Sequence, residues 1–187
     1  MPHCVRFIAG NEWALLRFVV MKRHFTVTGF LSHEGRTALH WHRLQTWLPP
    51  GGHIEADEDP IEAVLREVLE ETGIHSEMLN AKARFSHELP PQLAPPETIG
   101  IYNLPDGDGG LRETHQHIDF VYFTRPVAGT ATVLPEGDGH EWRWVSESEL
   151  APEAVLSHEA SGANVVINED VRVLALAAIA AEREAGV

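Results

Sequence analysis

Strong boundary signals enclose a short helical segment in the first half of the chain, and they fix which of its residues share a face. Asp59 suits the N-cap, Pro60 suits the first helical position, and Glu62 lies where the acidic partner of a capping box belongs. Gly73 fits the left-handed residue that follows many helix C-termini. The sequence therefore predicts an α-helix from Pro60 to Thr72.

The predicted helix has one apolar face and one acidic face. Residues three and four positions apart lie side by side on a helix, so Glu67, Glu70 and Glu71 project together, near the single cation Arg66. Like charges at this spacing are mildly destabilising, and a bound divalent cation is the simplest explanation for them. Oxygen ligands favour Mg²⁺, with Mn²⁺ as a substitute. The alternative is a solvated acidic helix, because charge runs on surface helices are common.

The residues around this helix also fit a longer pattern of fixed spacings. From Gly52 to Ile74 the segment resembles the Nudix box at every constrained position, and the chain is similar to Nudix hydrolases from about Phe25 to Leu150. The matching residues are Gly52, Glu58, Arg66, Glu67, Val68, Glu70, Glu71, Gly73 and Ile74.

The resemblance implies a fold and a set of site residues. The implied fold is of the α/β class, a Nudix-like α/β/α sandwich with a mixed β-sheet. It forms a single domain over residues 1–187, with a core at about 25–150 and extensions at both ends. Arg66 is implied to orient the carboxylates, and Glu58 to be a structural partner of the loop before the helix. The implied metal ligands are Glu67, Glu70, Glu71 and a backbone carbonyl of Gly51 or Gly52.

The reaction implied by the resemblance is hydrolysis of a nucleoside diphosphate linked to another moiety, by attack of water on phosphorus. A carboxylate must take the proton of that water. Glu67 or Glu70 on the helix is the preferred base, and the alternatives downstream are Glu136, Asp138 and Glu141. The competing hypothesis is a Nudix-like nucleotide-binding or regulatory module without catalysis, which has no physical need for all three helix carboxylates.

A second polar group is predicted at the start of the strand His115–Arg125. Alternation places His115, His117 and Asp119 on one face, which turns apolar further along the strand. His117 and Asp119 are therefore candidates for substrate binding, and His53, just after the double glycine, is a third. Hydrogen bonding is preferred to metal ligation for these histidines, because imidazole is a poor match for magnesium.

The other helices and strands are predicted from hydrophobic periodicity, prolines and turn residues. A β-hairpin is expected first, then irregular chain through the proline-rich stretch Leu89–Pro96, and finally a C-terminal helix over Asn168–Glu184. A short helix is expected to begin near Ser146. The predicted strands are Phe25–Ser32, Thr37–His42, Ala83–Glu88, Thr98–Asn103 and Glu141–Val145.

The net charge of the chain limits which kinds of binding partner are expected. The formal net charge of -14 argues against nonspecific binding to nucleic acid backbones or anionic membranes, so a small nucleotide-type substrate is expected and long nucleic acids are not. A nucleic-acid-binding protein would instead show salt-sensitive binding to oligonucleotides. The single cysteine, Cys4, cannot form an internal disulfide, and Arg17 interrupts the apolar N-terminal stretch. We expect a cytoplasmic monomer or homodimer.

Overall fold

The structure is a computed structural model that describes residues 22–85, 87–105, 111–136 and 141–186. Two helices and ten strands are assigned within these ranges. In chain order they are β1 (Lys22–His33), β2 (Arg36–His42), β3 (Thr46–Leu48), β4 (Gly51–His53), α1 (Pro60–Thr72), β5 (Ser76–Met78), β6 (Thr98–Pro105), β7 (Leu111–Pro126), β8 (Trp142–Ser146), β9 (Val155–His158), β10 (Ala163–Val166) and α2 (Glu169–Ala185).

Eight of these strands form one mixed sheet. Its main order is β3-β2-β1-β7-β5, with β4 paired to β1, β6 paired to β7 and β8 paired to β2. The central strands β1 and β7 run parallel, whereas the other pairs in this sheet are antiparallel. Strands β9 and β10 form a separate hairpin. The predicted mixed sheet is confirmed.

The two faces of the sheet carry separate hydrophobic cores, one beneath each helix. Along β1 the side chains alternate, so Val27 and Leu31 pack with Val64 and Val68 of α1. Phe30 points the other way and joins the cluster that includes residues of α2. Fully burying aliphatic and aromatic side chains stabilises the fold by about 1.5–3 kcal/mol each. Because helices cover both faces, the predicted α/β/α sandwich is confirmed.

Helix α1 forms as its sequence predicts. Asp59 accepts hydrogen bonds from the backbone N–H groups of Ile61 and Glu62, and the Glu62 side chain completes the capping box. Gly73 has a φ of 70° and its N–H donates to the carbonyl of Leu69. The helix approaches β1 closely because Gly29 has no side chain: a Cβ there would lie 2.6 Å from Val68 Cγ2.

Several local predictions are confirmed and two are wrong. The β1–β2 hairpin, the strands at 98–105, 111–126 and 142–146, and the C-terminal helix all form. The predicted strand Ala83–Glu88 is wrong, because residues 83–85 and 87–88 have no ladder partner and are irregular. The helix predicted near Ser146 is also wrong: the chain makes turns there, and Pro152 opposes a longer helix.

Neither helix in the described part of the chain combines the length and the apolarity needed to cross a membrane.

Candidate functional site

Arg66 is the centre of the charged face of α1. Its Nη2 donates to Glu58 Oε2 at 2.8 Å, and its Nε also donates to Glu58, giving a two-point pair. Its Nη1 donates to Glu67 Oε1 at 2.7 Å and to Glu70 Oε2 at 3.1 Å. Nη2 also donates to the backbone carbonyl of His53 at 3.1 Å. Arg66 thus joins the loop before α1 to two carboxylates of the helix.

These contacts shift the pKa values of Arg66 and Glu58. The hydrogen bonds to Glu58 and then Glu67 raise the pKa of Arg66 above its ordinary value. The same hydrogen bond from Arg66 lowers the pKa of Glu58. The guanidinium therefore stays charged, and it holds Glu67 and Glu70 at a defined distance from the loop.

Glu71 differs from its two neighbours because it is mostly buried and lies next to them. Burial, followed by repulsion from Glu67 and a smaller contribution from Glu70, raises the pKa of Glu71 to about 7, and a backbone hydrogen bond from Gly51 opposes the shift. Its Oε2 is buried with no hydrogen-bond partner, and His40 Nε2 is 3.9 Å away. A buried carboxylate oxygen without a partner is unfavourable unless a cation or donor reaches it.

This donor set fits a hard divalent cation. Three carboxylates share one helix face, one of them with an unsatisfied oxygen, and oxygen ligands of this kind suit Mg²⁺ or Mn²⁺. Within the described ranges, no group of three or more histidine, cysteine, aspartate or glutamate side chains is already gathered to hold a metal ion. Binding therefore requires the carboxylates to turn from their present partners, above all Arg66 in the case of Glu67 and Glu70.

Strand β4 connects this helix to the sheet. Gly51 pairs with Thr28 and Gly52 pairs with Val27 of β1. The carboxylate of Glu67 packs directly on the backbone of Gly52, so that a Cβ on Gly52 would lie 2.6 Å from Glu67 Cδ. The absence of a side chain at Gly52 is thus what allows Glu67 to reach the strand.

A cavity of about 610 Å³ lies on the other side of β4. It is bounded by β1, β4, β6, β7, the start of α2, and the segment from the end of β2 through β3. It is large enough for a nucleoside-sized group. Its lining includes Gly51, Gly52 and His53. The same three-residue strand therefore borders both the cavity and the carboxylate face of α1.

The polar lining of the cavity combines donors, among them Arg43, with two carboxylates, Asp119 and Asp170, that are held in place by neighbours. Asp119 is only 4% exposed, and its Oδ1 accepts a 2.7 Å hydrogen bond from Thr26 Oγ1. Burial raises the pKa of Asp119, while hydrogen bonds from Thr26 and Thr28 oppose the shift. Tyr102 hydrogen-bonds Asp170, and its pKa is raised to about 12, mainly by burial and then by the charge of Asp170. The cavity thus presents fixed carboxylates to a ligand that carries N–H or O–H donors.

The family model described as the NUDIX domain matches residues 22–166, which is most of the chain. The chain belongs to the Nudix family. A NUDIX-family hydrolase from Clostridium perfringens has a similar solved structure, with a TM-score of 0.55 and 28% identity over 86% of this chain and 98% of that one.

Two curated relatives are similar over shorter stretches. An RNA pyrophosphohydrolase from Rhizobium meliloti (strain 1021) is 35% identical over 113 residues, covering 57% of this chain and 62% of the relative. The m7GpppN-mRNA hydrolase NUDT17 of Danio rerio is 62% identical over 29 residues, covering 16% of this chain and 10% of the relative. The chain therefore spans less than two thirds of the length of either relative.

The predicted Nudix site residues divide into two groups in space. Glu67, Glu70, Glu71 and Arg66 lie together on α1, with Gly52 against Glu67. His53, His117 and Asp119 border the cavity, and His117 and Asp119 lie on the sheet face opposite α1. Strand β4 is where the two groups meet.

The downstream base candidates are not brought to α1 by any contact in the described ranges. Glu141 accepts a 2.8 Å hydrogen bond from the N–H of Glu159 and lies 3.6 Å from His158 Nε2, so it is engaged with the β9–β10 hairpin. Glu136 is exposed, and Asp138 lies outside the described residues. The helix glutamates therefore remain the better placed candidates.

Sequence reasoning missed the residues that complete the cavity. Thr26 comes from β1, Tyr102 from β6 and Asp170 from α2, and Asn168 is the residue just before α2. No short-range pattern links them. One usable signal was present: Gly100 leaves room for the ring of Tyr102 two residues on, since a Cβ there would lie 2.9 Å from Tyr102 Cε2. A glycine inside a strand often marks such a close approach.

The raised pKa of Glu71 predicts how the stability of the metal-free protein depends on pH. Its pKa is about 7 in the folded state and about 4.5 when unperturbed, so the unfolded state loses this proton first as pH rises. The free energy of unfolding should fall by up to a few kcal/mol between about pH 4.5 and pH 7. Urea titrations in chelator should show this slope, and Glu71→Gln should flatten it. If the slope were unchanged in Glu71→Gln, the pH dependence could not be attributed to the raised pKa of Glu71.

Proposed function

We propose that this Nudix protein hydrolyses the diphosphate linkage of a nucleoside diphosphate joined to another moiety. The observation that carries the proposal is the shared strand β4, whose Gly52 touches Glu67 while Gly51, Gly52 and His53 border the cavity. A ligand seated in the cavity has its phosphate chain directed past β4 toward the carboxylates. The cavity that would hold the nucleoside is thereby next to the carboxylates that would act on the phosphate chain.

The helix carboxylates supply the chemical part of the proposal. We assign Glu67, Glu70 and Glu71, with the backbone of Gly52, to hold Mg²⁺ or its substitute Mn²⁺. Such an ion withdraws charge from phosphate oxygens and increases the acidity of water. In the metal-free protein Arg66 holds Glu67 and Glu70 through its hydrogen bonds, and it remains protonated beside them when they turn toward the ion.

The proton of the attacking water goes to a helix glutamate in this account. The side chain of Glu70 is 59% exposed, whereas that of Glu67 is only 14% exposed and is enclosed by Arg66 and Gly52. Greater access to solvent favours Glu70 as the base, with Glu67 as the alternative. A general base typically contributes about 10²–10⁴-fold to the rate.

We assign the nucleoside part of the substrate to the cavity, with His53, His117 and Asp119 as binding residues. Asp119→Asn keeps the volume of the side chain but removes its charge, so N–H donors of the substrate lose a charged acceptor. We expect KM to rise about tenfold, since a hydrogen bond to a charged group contributes about 1.5–3 kcal/mol, with little change in kcat. Steady-state kinetics would measure both constants. Exposed Asp57→Asn is the matched control, and an unchanged KM in Asp119→Asn would remove Asp119 from binding.

The proposed function is tested by a substrate panel in magnesium. Nucleoside triphosphates, nucleotide sugars, dinucleotides and capped dinucleotides are incubated with the protein, and released phosphate, pyrophosphate and nucleoside monophosphate are quantified. Hydrolysis within the phosphate chain of at least one compound, abolished by chelator, is expected. Tight nucleotide binding without any hydrolysis would instead support the alternative, a binding or regulatory module.

A second candidate substrate is the 5′ end of RNA. The names of two relatives, an RNA pyrophosphohydrolase and an m7GpppN-mRNA hydrolase, favour it. The net charge of -14 opposes binding to a long backbone, so only the terminal nucleotides would be held. Adding a short 5′-triphosphorylated RNA to the panel separates the two candidates, because turnover of RNA alone would favour the second.

We also propose that residues 1–187 form one domain, active as a cytoplasmic monomer or homodimer. The match of the family model to residues 22–166 supports a single unit, and the acidic surface charge is consistent with a soluble nucleotide as partner.

A further inference from the structure

Four histidine rings gather at one end of the sheet, beside the mouth of the cavity. They are His24 of β1, His53 of β4, and His115 and His117 of β7. Strand register explains the cluster: His24 pairs with His117, and His53 pairs with Thr26, two residues from His24. Alternation along one strand pointed to His115 and His117, but only the pairing of three strands brings His24 and His53 beside them.

The ring separations match those of imidazoles around one metal ion. The ring centres of His24 and His53 are 5.2 Å apart, those of His53 and His117 are 4.9 Å apart, and those of His24 and His117 are 5.9 Å apart. An imidazole nitrogen binds zinc at about 2.0–2.1 Å, which places the ring centre about 3.2 Å from the ion. Two such rings at the tetrahedral angle have centres about 5.2 Å apart. The triangle formed by the three rings is therefore of the right size.

A fourth imidazole lies close to the triangle formed by the three rings, because His115 is 5.2 Å from His24.

The three rings must turn to bring their nitrogens to one point. As they stand, the described residues contain no group of three or more histidine, cysteine, aspartate or glutamate side chains that could hold a metal ion. His24 and His53 are exposed and can turn at little cost, whereas the half-buried His117 sets the position. Arg66 holds the backbone carbonyl of His53 at 3.1 Å, which anchors the second ligand without fixing its ring.

We propose that His24, His53 and His117 form a binding site for one borderline divalent transition ion, such as Zn²⁺, Co²⁺, Ni²⁺ or Cu²⁺. Imidazole ligands suit these ions, whereas the carboxylates of α1 suit Mg²⁺ and Mn²⁺. The site lies apart from the carboxylates of α1, and its occupation does not depend on hydrolysis. It shares His53 and His117 with the residues assigned above to substrate binding, so a bound ion would meet the substrate there. An ion held by three protein ligands keeps a coordination position for water or an anion, and here it would add positive charge at the mouth of the cavity.

The test uses the full chain without an affinity tag, stripped of metal by chelator. Cobalt(II) is titrated in, its visible absorption is followed, and zinc is then used to displace it. One equivalent of cobalt is expected to bind at the histidines. The Glu70→Gln/Glu71→Gln variant gives this stoichiometry without the full set of α1 carboxylates, which can also take Co²⁺. His24→Ala and His117→Ala should each lower the affinity at least about tenfold, because each removes one ligand. Circular dichroism checks that both variants are folded.

Three controls separate this site from other donors. The matched histidine variants His75→Ala and His87→Ala, both exposed and outside the cluster, should bind cobalt as the wild type does. The double variant Glu70→Gln/Glu71→Gln should retain the site, and so should His3→Ala/Cys4→Ser, which removes donors outside the described residues. Absence of stoichiometric cobalt binding, unchanged affinity in both His24→Ala and His117→Ala, or loss of the site in either double variant would overturn the proposal.

Discussion

Glu70→Gln and Glu71→Gln are each expected to lower turnover by about 10²-fold or more, since both remove a carboxylate from the group assigned to the metal and the proton. Glutamine has nearly the same shape, so the fold should remain. In Glu71→Gln the metal-free protein should even become more stable at pH 8, because a buried anion beside Glu67 and Glu70 has been removed. Rates at saturating substrate, together with urea unfolding curves, measure both effects.

The matched control for these variants is on the same helix. Glu62→Gln also removes one glutamate, but a capping box accepts glutamine at this position, so the helix end should be retained. Glu62→Gln should therefore show turnover close to that of the wild type. Full activity in both Glu70→Gln and Glu71→Gln would exclude the helix carboxylates from the reaction.

The second large effect concerns two adjacent glycines. Substitution of Gly52 should lower mainly the reaction rate, whereas substitution of Gly51 should lower mainly the stability of the fold. In Gly52→Ala the new Cβ collides with the carboxylate of Glu67, the mobile end of a side chain. Glu67 must swing away and lose its 2.7 Å hydrogen bond from Arg66 Nη1. The cost in stability should be below about 1 kcal/mol, whereas a displacement of this size at a catalytic group can lower the rate about 10²-fold.

Gly51→Ala is the natural comparison, because its Cβ meets backbone rather than a side-chain end. It would collide with the carbonyl oxygen of Val27 and lie 3.1 Å from Thr28 Cα, so β4 must separate from β1. We expect destabilisation of about 1–3 kcal/mol or more, measured by urea unfolding. Equal loss of stability in Gly51→Ala and Gly52→Ala would contradict the proposed contact between Gly52 and Glu67.

The parts of the fold that local chemistry determines could be predicted from the sequence. The α1 boundaries follow from Asp59, Pro60 and Gly73, each of which acts within a few residues of its position. The alternation of β7 likewise placed Asp119 and Val121 on one face. The capping residues act within one turn of the helix, and the alternation acts within one strand. Neither depends on residues that are distant in sequence.

The predictions that failed, and the residues that were missed, depend on distant contacts. Residues 83–85 and 87–88 were predicted to form a strand but find no partner strand. Strand β4, in contrast, is only three residues long yet pairs with β1. The cavity and the histidine cluster require β1 and β7 to run side by side, a parallel pairing between segments about 90 residues apart. Local pattern carries no information about such a pairing.

The central claim is that the carboxylate face of α1 binds a divalent cation needed to cleave a phosphate anhydride. Calorimetric titration of magnesium into the metal-free protein, with and without a nucleotide present, tests it most directly. The account predicts heat of binding in the wild type and a strongly weakened signal in Glu70→Gln/Glu71→Gln. No detectable binding of magnesium or manganese by the wild type under either condition would contradict the account.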